Sequence, residues 1–205
     1  MIGVVDYGMG NLGSVVNALS FLGAPARVLH GPDEMADCHA LILPGVGAFG
    51  DCMANLQQRG YVEPLRDWMA ADRPLLGICL GLQVLGESSE ESPGVDGFGA
   101  VPSPVVKFAA TPELKVPQIG WNRVRAAPGR ACPLFRGIPD GTYFYFVHSY
   151  YLPGAAGWDA GLTTHGVEYA SAVWQGRTAA VQFHPEKSQQ AGLRLLQNFV
   201  DWSGE

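Results

Sequence analysis

Four short strand-like runs, Ile2-Val5, Ala26-Leu29, Ala40-Leu43 and Leu75-Ile78, alternate with segments of helical period in the first half of the chain. This alternation constrains the fold more than any other feature. Apolar runs of strand length separated by helices predict a parallel sheet with helices on both faces. The first helix is expected after Asn11, a candidate cap, with Leu12, Val15, Val16, Leu19 and Phe21-Leu22 as its apolar stripe and Gly23 as its end. A second helical stretch is expected over 51–72, broken near Gly60, and a third from Leu80 to about Glu87. In such sheets ligands bind at the carboxyl ends of the strands. The glycine-rich turns after the first, third and fourth strands, at Gly8–Asn11, Gly45–Gly47 and Cys79–Gly81, all fall on that edge.

The second half is different. Proline and glycine are frequent, and the runs Val101-Phe108, Trp121-Val124, Thr142-Val147, Ala170-Trp174 and Thr178-Phe183 are short and rich in aromatic or β-branched residues. They read as antiparallel strands or hairpins, followed by a last helix over Ser188-Trp202. The expected architecture is an α/β three-layer sandwich around a mixed, largely parallel sheet. The polar segment 88–100 reads as a loop, and nothing after it is long enough to bury a core of its own, so residues 1–205 are expected to form a single domain.

Charge narrows the choice of partners. With 13 Lys and Arg against 19 Asp and Glu, and no basic run, the chain is a poor nucleic-acid or anionic-membrane binder. No apolar stretch reaches the roughly 18 residues that span a bilayer, and Met1-Asp6 lacks the basic start and cleavage site of a signal peptide. The four cysteines, at 38, 52, 79 and 132, form no C-x-x-C pair and no zinc-spaced set with histidine. They are expected to be reduced thiols of a cytoplasmic protein, with no metal site.

Gly77-Ile-Cys-Leu-Gly81 is a G-x-C-x-G segment between a buried strand and a helix. It is the sulfur counterpart of a nucleophile elbow, in which glycines permit a sharp turn that presents the central residue at the sheet edge. A thiol there is activated by the helix N-terminus, and the N–H of Leu80 points at a developing oxyanion. Cys79 is equally readable as a small buried hydrophobe. The second feature is His184-Pro-Glu186. Proline holds His184 extended, and residues i and i+2 of an extended segment share a side, so the carboxylate can orient the imidazole. Taken alone, it is also an ordinary surface loop. His30, His39, His148 and His165 are weaker base candidates, and Cys38, Cys52 and Cys132 lack an elbow.

With Gln83, these motifs resemble the class I (triad) glutamine amidotransferases. Asp6-Tyr-Gly-Met-Gly-Asn-Leu12, Leu43-Pro-Gly-Val-Gly-Ala-Phe-Gly50, Glu87-Ser-Ser-Glu-Glu91, Val116-Pro-Gln-Ile-Gly-Trp-Asn122, Tyr145-Phe-Val-His-Ser-Tyr150 and Gln182-Phe-His-Pro-Glu-Lys-Ser188 narrow the resemblance to the glutaminase subunits of imidazole glycerol phosphate synthases. The resemblance covers essentially the whole chain. It implies a Cys79, His184, Glu186 triad that releases ammonia from glutamine without a cofactor. It implies an oxyanion hole and glutamine pocket from Val46, Gly47, Leu80, Gln83, Ser149 and Tyr150. It also implies a (β/α)8-barrel cyclase partner that receives the ammonia, met by Asn11, Trp121, Tyr145 and Lys187. Asn11 is equally an ordinary helix cap, and Trp121 and Tyr145 are equally core aromatics. The chain departs from the family pattern at Gln118, where histidine is frequent, and at Gly86, where phenylalanine is common. The competing readings are a glutaminase subunit for anthranilate, aminodeoxychorismate or pyridoxal phosphate synthesis, and a non-catalytic module that has kept the fold.

Overall fold

The computed structural model describes residues 1–112 and 114–205. In chain order the elements are β1 (Ile2–Val5), α1 (Leu12–Phe21), β2 (Ala26–Leu29), β3 (Ala40–Gly45), α2 (Phe49–Gln58), α3 (Val62–Ala70), β4 (Leu75–Cys79) and α4 (Leu80–Gln83). There follow β5 (Val106–Lys107), β6 (Gln118–Ala126), β7 (Thr142–His148), β8 (Tyr150–Tyr151), β9 (Asp159–His165), β10 (Val167–Gln175), β11 (Thr178–Val181) and α5 (Gln189–Gly204). Nine strands form one sheet in the order β2-β1-β3-β4-β11-β10-β9-β6-β7, and β5 pairs with β8 apart from it. β2, β1, β3, β4 and β11 run parallel, and β10, β9, β6 and β7 continue the sheet antiparallel. The sheet is mixed and largely parallel, as expected.

The central strands β1, β3, β4 and β11 are buried on both faces, and their period of two sorts side chains between two cores. In β3, Leu41 and Leu43 face α2 and α3, where Phe49, Leu56, Leu65 and Trp68 pack. Ala40 and Ile42 face the other way, toward Val15 and Leu19 of α1 and Leu195, Leu196 and Phe199 of α5. Each fully buried aliphatic or phenyl side chain contributes about 1.5–3 kcal/mol relative to exposure. Three layers result because a parallel sheet must cover both faces.

The structure departs from the sequence reading in several places. Asn11 stands at the start of α1 but makes no side-chain capping hydrogen bond. α4 is one turn, not the two expected through Glu87. The N–H groups of Leu85 and Gly86 bond three residues back, to Leu82 O and Gln83 O, and that of Glu87 goes to Ser103 O, while the carbonyls of Val84, Leu85 and Gly86 accept the N–H groups of Phe98, Val101 and Gly99, so a crossing segment replaces further helical turns. A Cβ on Gly86 would lie 2.9 Å from Ser103 O and 3.1 Å from Gln83 O, which explains why no large side chain stands there. The run 101–108 yields only the two-residue β5. β9 gave no strand signal because Asp159, Gly161 and two threonines interrupt its apolar pattern. β11 is antiparallel to β10 but parallel to β4, and so joins the two halves of the sheet.

Candidate active site

Cys79 ends β4 with φ 56° and ψ −106°, a conformation that L-residues avoid. The flanking glycines make the turn possible. A Cβ on Gly81 would lie 1.9 Å from Leu43 O, and one on Gly77 would lie 2.7 Å from Gly81 O. α4 is therefore pressed against β3, and the strained residue is held at the sheet edge.

Parallel register brings the other groups to this point. Gly45 of β3 pairs with Cys79, which sets Val46 and Gly47 beside the thiol. Val181 of β11 pairs with Ile78, so the segment 182–184 runs past Cys79 on its other side. His184 Nδ1 is 2.8 Å from Glu186 Oε1, and the two side chains are 2% and 1% exposed. The contact forms differently from the sequence expectation. Only His184 is extended, and Glu186 returns to it through a 3-10 turn over Pro185–Lys187. Ser188 secures the turn: its hydroxyl donates to His184 O (2.6 Å) and accepts the Tyr145 N–H (2.9 Å). Burial lowers the His184 pKa, but the Cys79 thiol and the Glu186 carboxylate outweigh it and push it up to about 10. His184 Nε2 makes no hydrogen bond of ordinary geometry and is left for the sulfur.

A cavity of about 320 Å³ opens over this group, lined by Val46, Gly47, Cys79, Leu80, Gln83, Glu91, Ser149, Tyr150 and His184 among others. All six residues expected in the oxyanion hole and glutamine pocket thus border one space with the thiol. Gln83 Nε2 donates to Tyr150 O (3.0 Å) and to Gln182 Oε1 (3.1 Å). Gln182 Nε2 in turn donates to Cys79 Sγ (3.7 Å). Tyr150 O also accepts from His148 Nδ1 (2.8 Å). Burial pushes the His148 pKa down to about 4, so this ring stays neutral at neutral pH and is a much weaker base than His184. The Tyr169 hydroxyl donates to Gln118 Oε1 (3.0 Å) and lies 3.2 Å from His148 Nε2. Gln118, the departure noted above, therefore closes a buried polar chain that starts at the thiol.

Two residues of this site carried no role in the sequence reading. Glu91 borders the cavity while its Oε2 accepts the Phe49 N–H at the start of α2 (2.8 Å). Gln182 is fully buried against the sulfur. Glu91 closes the Glu87–Glu91 motif, but that motif lies in a loop and carries no sign of which space its carboxylates face. Gln182 could be found from its position two residues before His184.

Asn11, Trp121, Tyr145 and Lys187 lie outside the cavity. Asn11 shares a small hollow with His184 and Glu186. Trp121 and Tyr145 are cross-strand partners of β6 and β7 with ring centroids 6.1 Å apart. On this ribbon Ile119, Trp121 and Tyr143 stand exposed, while Phe144 and Phe146 face the core. Lys187 is exposed directly after Glu186. Among the described residues, no group of His, Cys, Asp and Glu is arranged to hold a metal ion, and no helix is long and apolar enough to cross a membrane.

A thiol on a strained elbow, a paired histidine and carboxylate, and a polar cavity in a three-layer sandwich define a class of thiol amidohydrolases. The chain belongs to the class-I glutamine amidotransferase family, whose profile matches residues 3–202. Within it, the chain is 47% identical to the imidazole glycerol phosphate synthase subunit HisH of Desulfitobacterium hafniense, over 100% of this chain and 96% of that one. It is 50% identical to the HisH subunit of Moorella thermoacetica, over 97% and 93%. Solved structures share the fold at lower identity. A crystal structure of a glutamine amidotransferase superposes with TM-score 0.77 at 19% identity, covering 100% of this chain and 99% of that one. The PurLQS structure from Thermotoga maritima gives TM-score 0.77 at 16%, covering 98% and 97%.

Proposed function

We propose that residues 1–205 act as one glutaminase domain, the ammonia-producing subunit of an imidazole glycerol phosphate synthase in histidine biosynthesis. The observation that carries the chemistry is the meeting of Cys79, in its strained conformation, with the buried His184–Glu186 pair at one cavity. The naming of the synthase is supported by the full-length likeness to HisH subunits.

In this reading the Cys79 sulfur attacks the side-chain carbonyl carbon of glutamine. The oxyanion is met by the N–H of Leu80 and of the Val46–Gly47 turn, and losing one such donor costs on the order of 100-fold to 1000-fold in rate. His184 takes the thiol proton and gives a proton to the departing ammonia, with Glu186 holding the ring. Water then adds to the thioester with His184 as base, which frees glutamate and restores the thiol. Gln83 spends both amide hydrogens inside the protein, so it offers the substrate its oxygen. Glu91 places a carboxylate where the α-ammonium of glutamine can pair with it. Ser149 and Tyr150 supply main-chain groups to the same wall.

The exposed aromatic face of β6 and β7 supports a partner contact. His184 N–H donates to Tyr145 O (2.9 Å), so this ribbon is fastened to the triad segment. We place the (β/α)8-barrel cyclase against Trp121 and Tyr145, with Asn11 and Lys187 at the rim, so that ammonia passes into it. Such an enzyme with free thiols belongs in the reducing cytoplasm.

The test is glutamate release by the purified chain, alone and with the cyclase subunit and its nucleotide ligand. Low activity alone and high activity in the complex are expected. Equal activity in both keeps the triad and removes the partner, and silence in both removes the reading.

A further inference from the structure

We infer that Gln182 is a positioning residue for the nucleophile: its side-chain N–H holds the Cys79 sulfur as a thiolate facing His184, in an orientation that Gln83 imposes. This rests on the reading of Cys79 as the nucleophile.

Strand register supplies the placement. Val181 pairs with Ile78, so the next residue on each strand, Gln182 and Cys79, meet at the sheet edge. Gln182 directly follows the last residue of β11, and His184 lies two residues further on, so both reach the sulfur from the β11 side. The Gln182 side chain is fully buried, and its Nε2 donates to Cys79 Sγ at 3.7 Å. A hydrogen bond to the charged form of a group favours that form, and the bond is stronger where water is excluded.

The amide cannot turn over freely. Tyr150 O is a fixed acceptor and takes one hydrogen of Gln83 Nε2 (3.0 Å). The second hydrogen goes to Gln182 Oε1 (3.1 Å). With its oxygen claimed, Gln182 has only its NH2 group to present to the sulfur. Reversal would break the bond to Gln83 and set oxygen lone pairs against a thiolate. A neutral amide also suits the chemistry. It donates to sulfur without a proton to lose, so His184 remains the one proton carrier beside the thiol. Because Gln83 and Tyr150 also line the cavity, a substrate seated there bears on the chain of bonds that ends at the nucleophile.

The experiment follows alkylation of Cys79 by iodoacetamide in the full chain, read by peptide mass spectrometry from acidic to alkaline pH. The reagent converts the thiolate to a thioether with loss of iodide, so its rate reports the thiolate fraction. Cys52 and Cys132, whose thiols burial pushes up to about 12, do not compete at neutral pH. In Gln182→Leu the rate at neutral pH is expected to fall about tenfold, as befits one lost hydrogen bond to a charged group, and the pH midpoint to rise. Gln182→Glu, which is the same size but can only accept, should raise the midpoint further. Gln83→Met frees the Gln182 amide to turn and should raise it as well, so the test survives if either Gln182 variant fails to fold. Glutamine turnover should lose kcat more than KM in the Gln182 variants. Unchanged midpoints in folded variants overturn the proposal, even if wild-type glutaminase activity is normal. Shifted midpoints in a protein with no glutaminase activity would sustain it while removing the reaction proposed above.

Discussion

His184 Nδ1 and Glu186 Oε1 are 2.8 Å apart with both side chains almost sealed from solvent, although a 3-10 turn separates them. The carboxylate therefore acts on the ring without competition from water, and it fixes which nitrogen faces the thiol. Replacing it should change the pH behaviour of the whole protein as well as its chemistry.

The two buried histidines near the cavity have opposite signs. His184 is raised from 6.5 to about 10, because the Cys79 and Glu186 interactions outweigh burial. Its contribution to stability is complete below pH 6.5 and is lost as pH rises through about 10. His148 is lowered to about 4 by burial, so its contribution is present above 6.5 and lost as pH falls through about 4. Thermal midpoints should decline at both ends of the pH range. Glu186→Gln should flatten the alkaline decline and leave the acid one in place. The same variant should lose about 100-fold to 10,000-fold in glutamine hydrolysis. An alkaline limb identical to wild type would refute the assignment.

Gly81→Ala tests the elbow. Its Cβ would stand 1.9 Å from Leu43 O, a backbone atom of the central sheet that cannot move aside. Destabilisation of about 3 kcal/mol or more is expected from such overpacking. Urea denaturation of the variant reads it directly, and a midpoint within error of wild type would show that the turn relaxes.

Glu91→Gln separates binding from chemistry. The variant keeps an oxygen for the Phe49 N–H but loses the charge facing the cavity. KM for glutamine should rise about tenfold or more, as for loss of a charge-assisted bond, with kcat nearly unchanged. A fall in kcat at constant KM would place Glu91 elsewhere in the mechanism.

Trp121→Ala and Lys187→Ala test the partner face. Trp121 is 47% exposed, so its truncation should alter the melting temperature little. Its loss should cost about 2 kcal/mol or more of affinity for the cyclase subunit, the scale of an interface anchor. Lys187→Ala should weaken stimulation by the nucleotide ligand. Titration calorimetry against the cyclase, with glutaminase assays, distinguishes these effects, and wild-type affinity in Trp121→Ala would move the interface off this ribbon.

Much of the fold was legible in the sequence. The strands β1, β3 and β4 are buried on both faces, so their apolar runs stand out, and the glycines at 77 and 81 mark the elbow because no other residue fits there. The break near Gly60 likewise separates α2 from α3. The antiparallel half was harder to read. β9 is held by its neighbours and not by its own pattern, and α4 stops early because the residues after it bond to the crossing segment 97–103 instead of continuing the helix.

The sequence by itself determined the chemistry that short motifs carry. A thiol between two glycines and a histidine two residues before a glutamate are local facts, as is the alternation that demands a two-sided sheet. Only the tertiary structure decided what meets the thiol. Glu91, Gln182 and Tyr150 come from segments far apart in the chain, and no local pattern encodes their convergence. Register between the parallel strands β4 and β11, fixed by main-chain hydrogen bonds and by the burial of alternate side chains, sets Gln182 beside Cys79, while Tyr150 comes from the separate β5–β8 pair to meet Gln83 of α4.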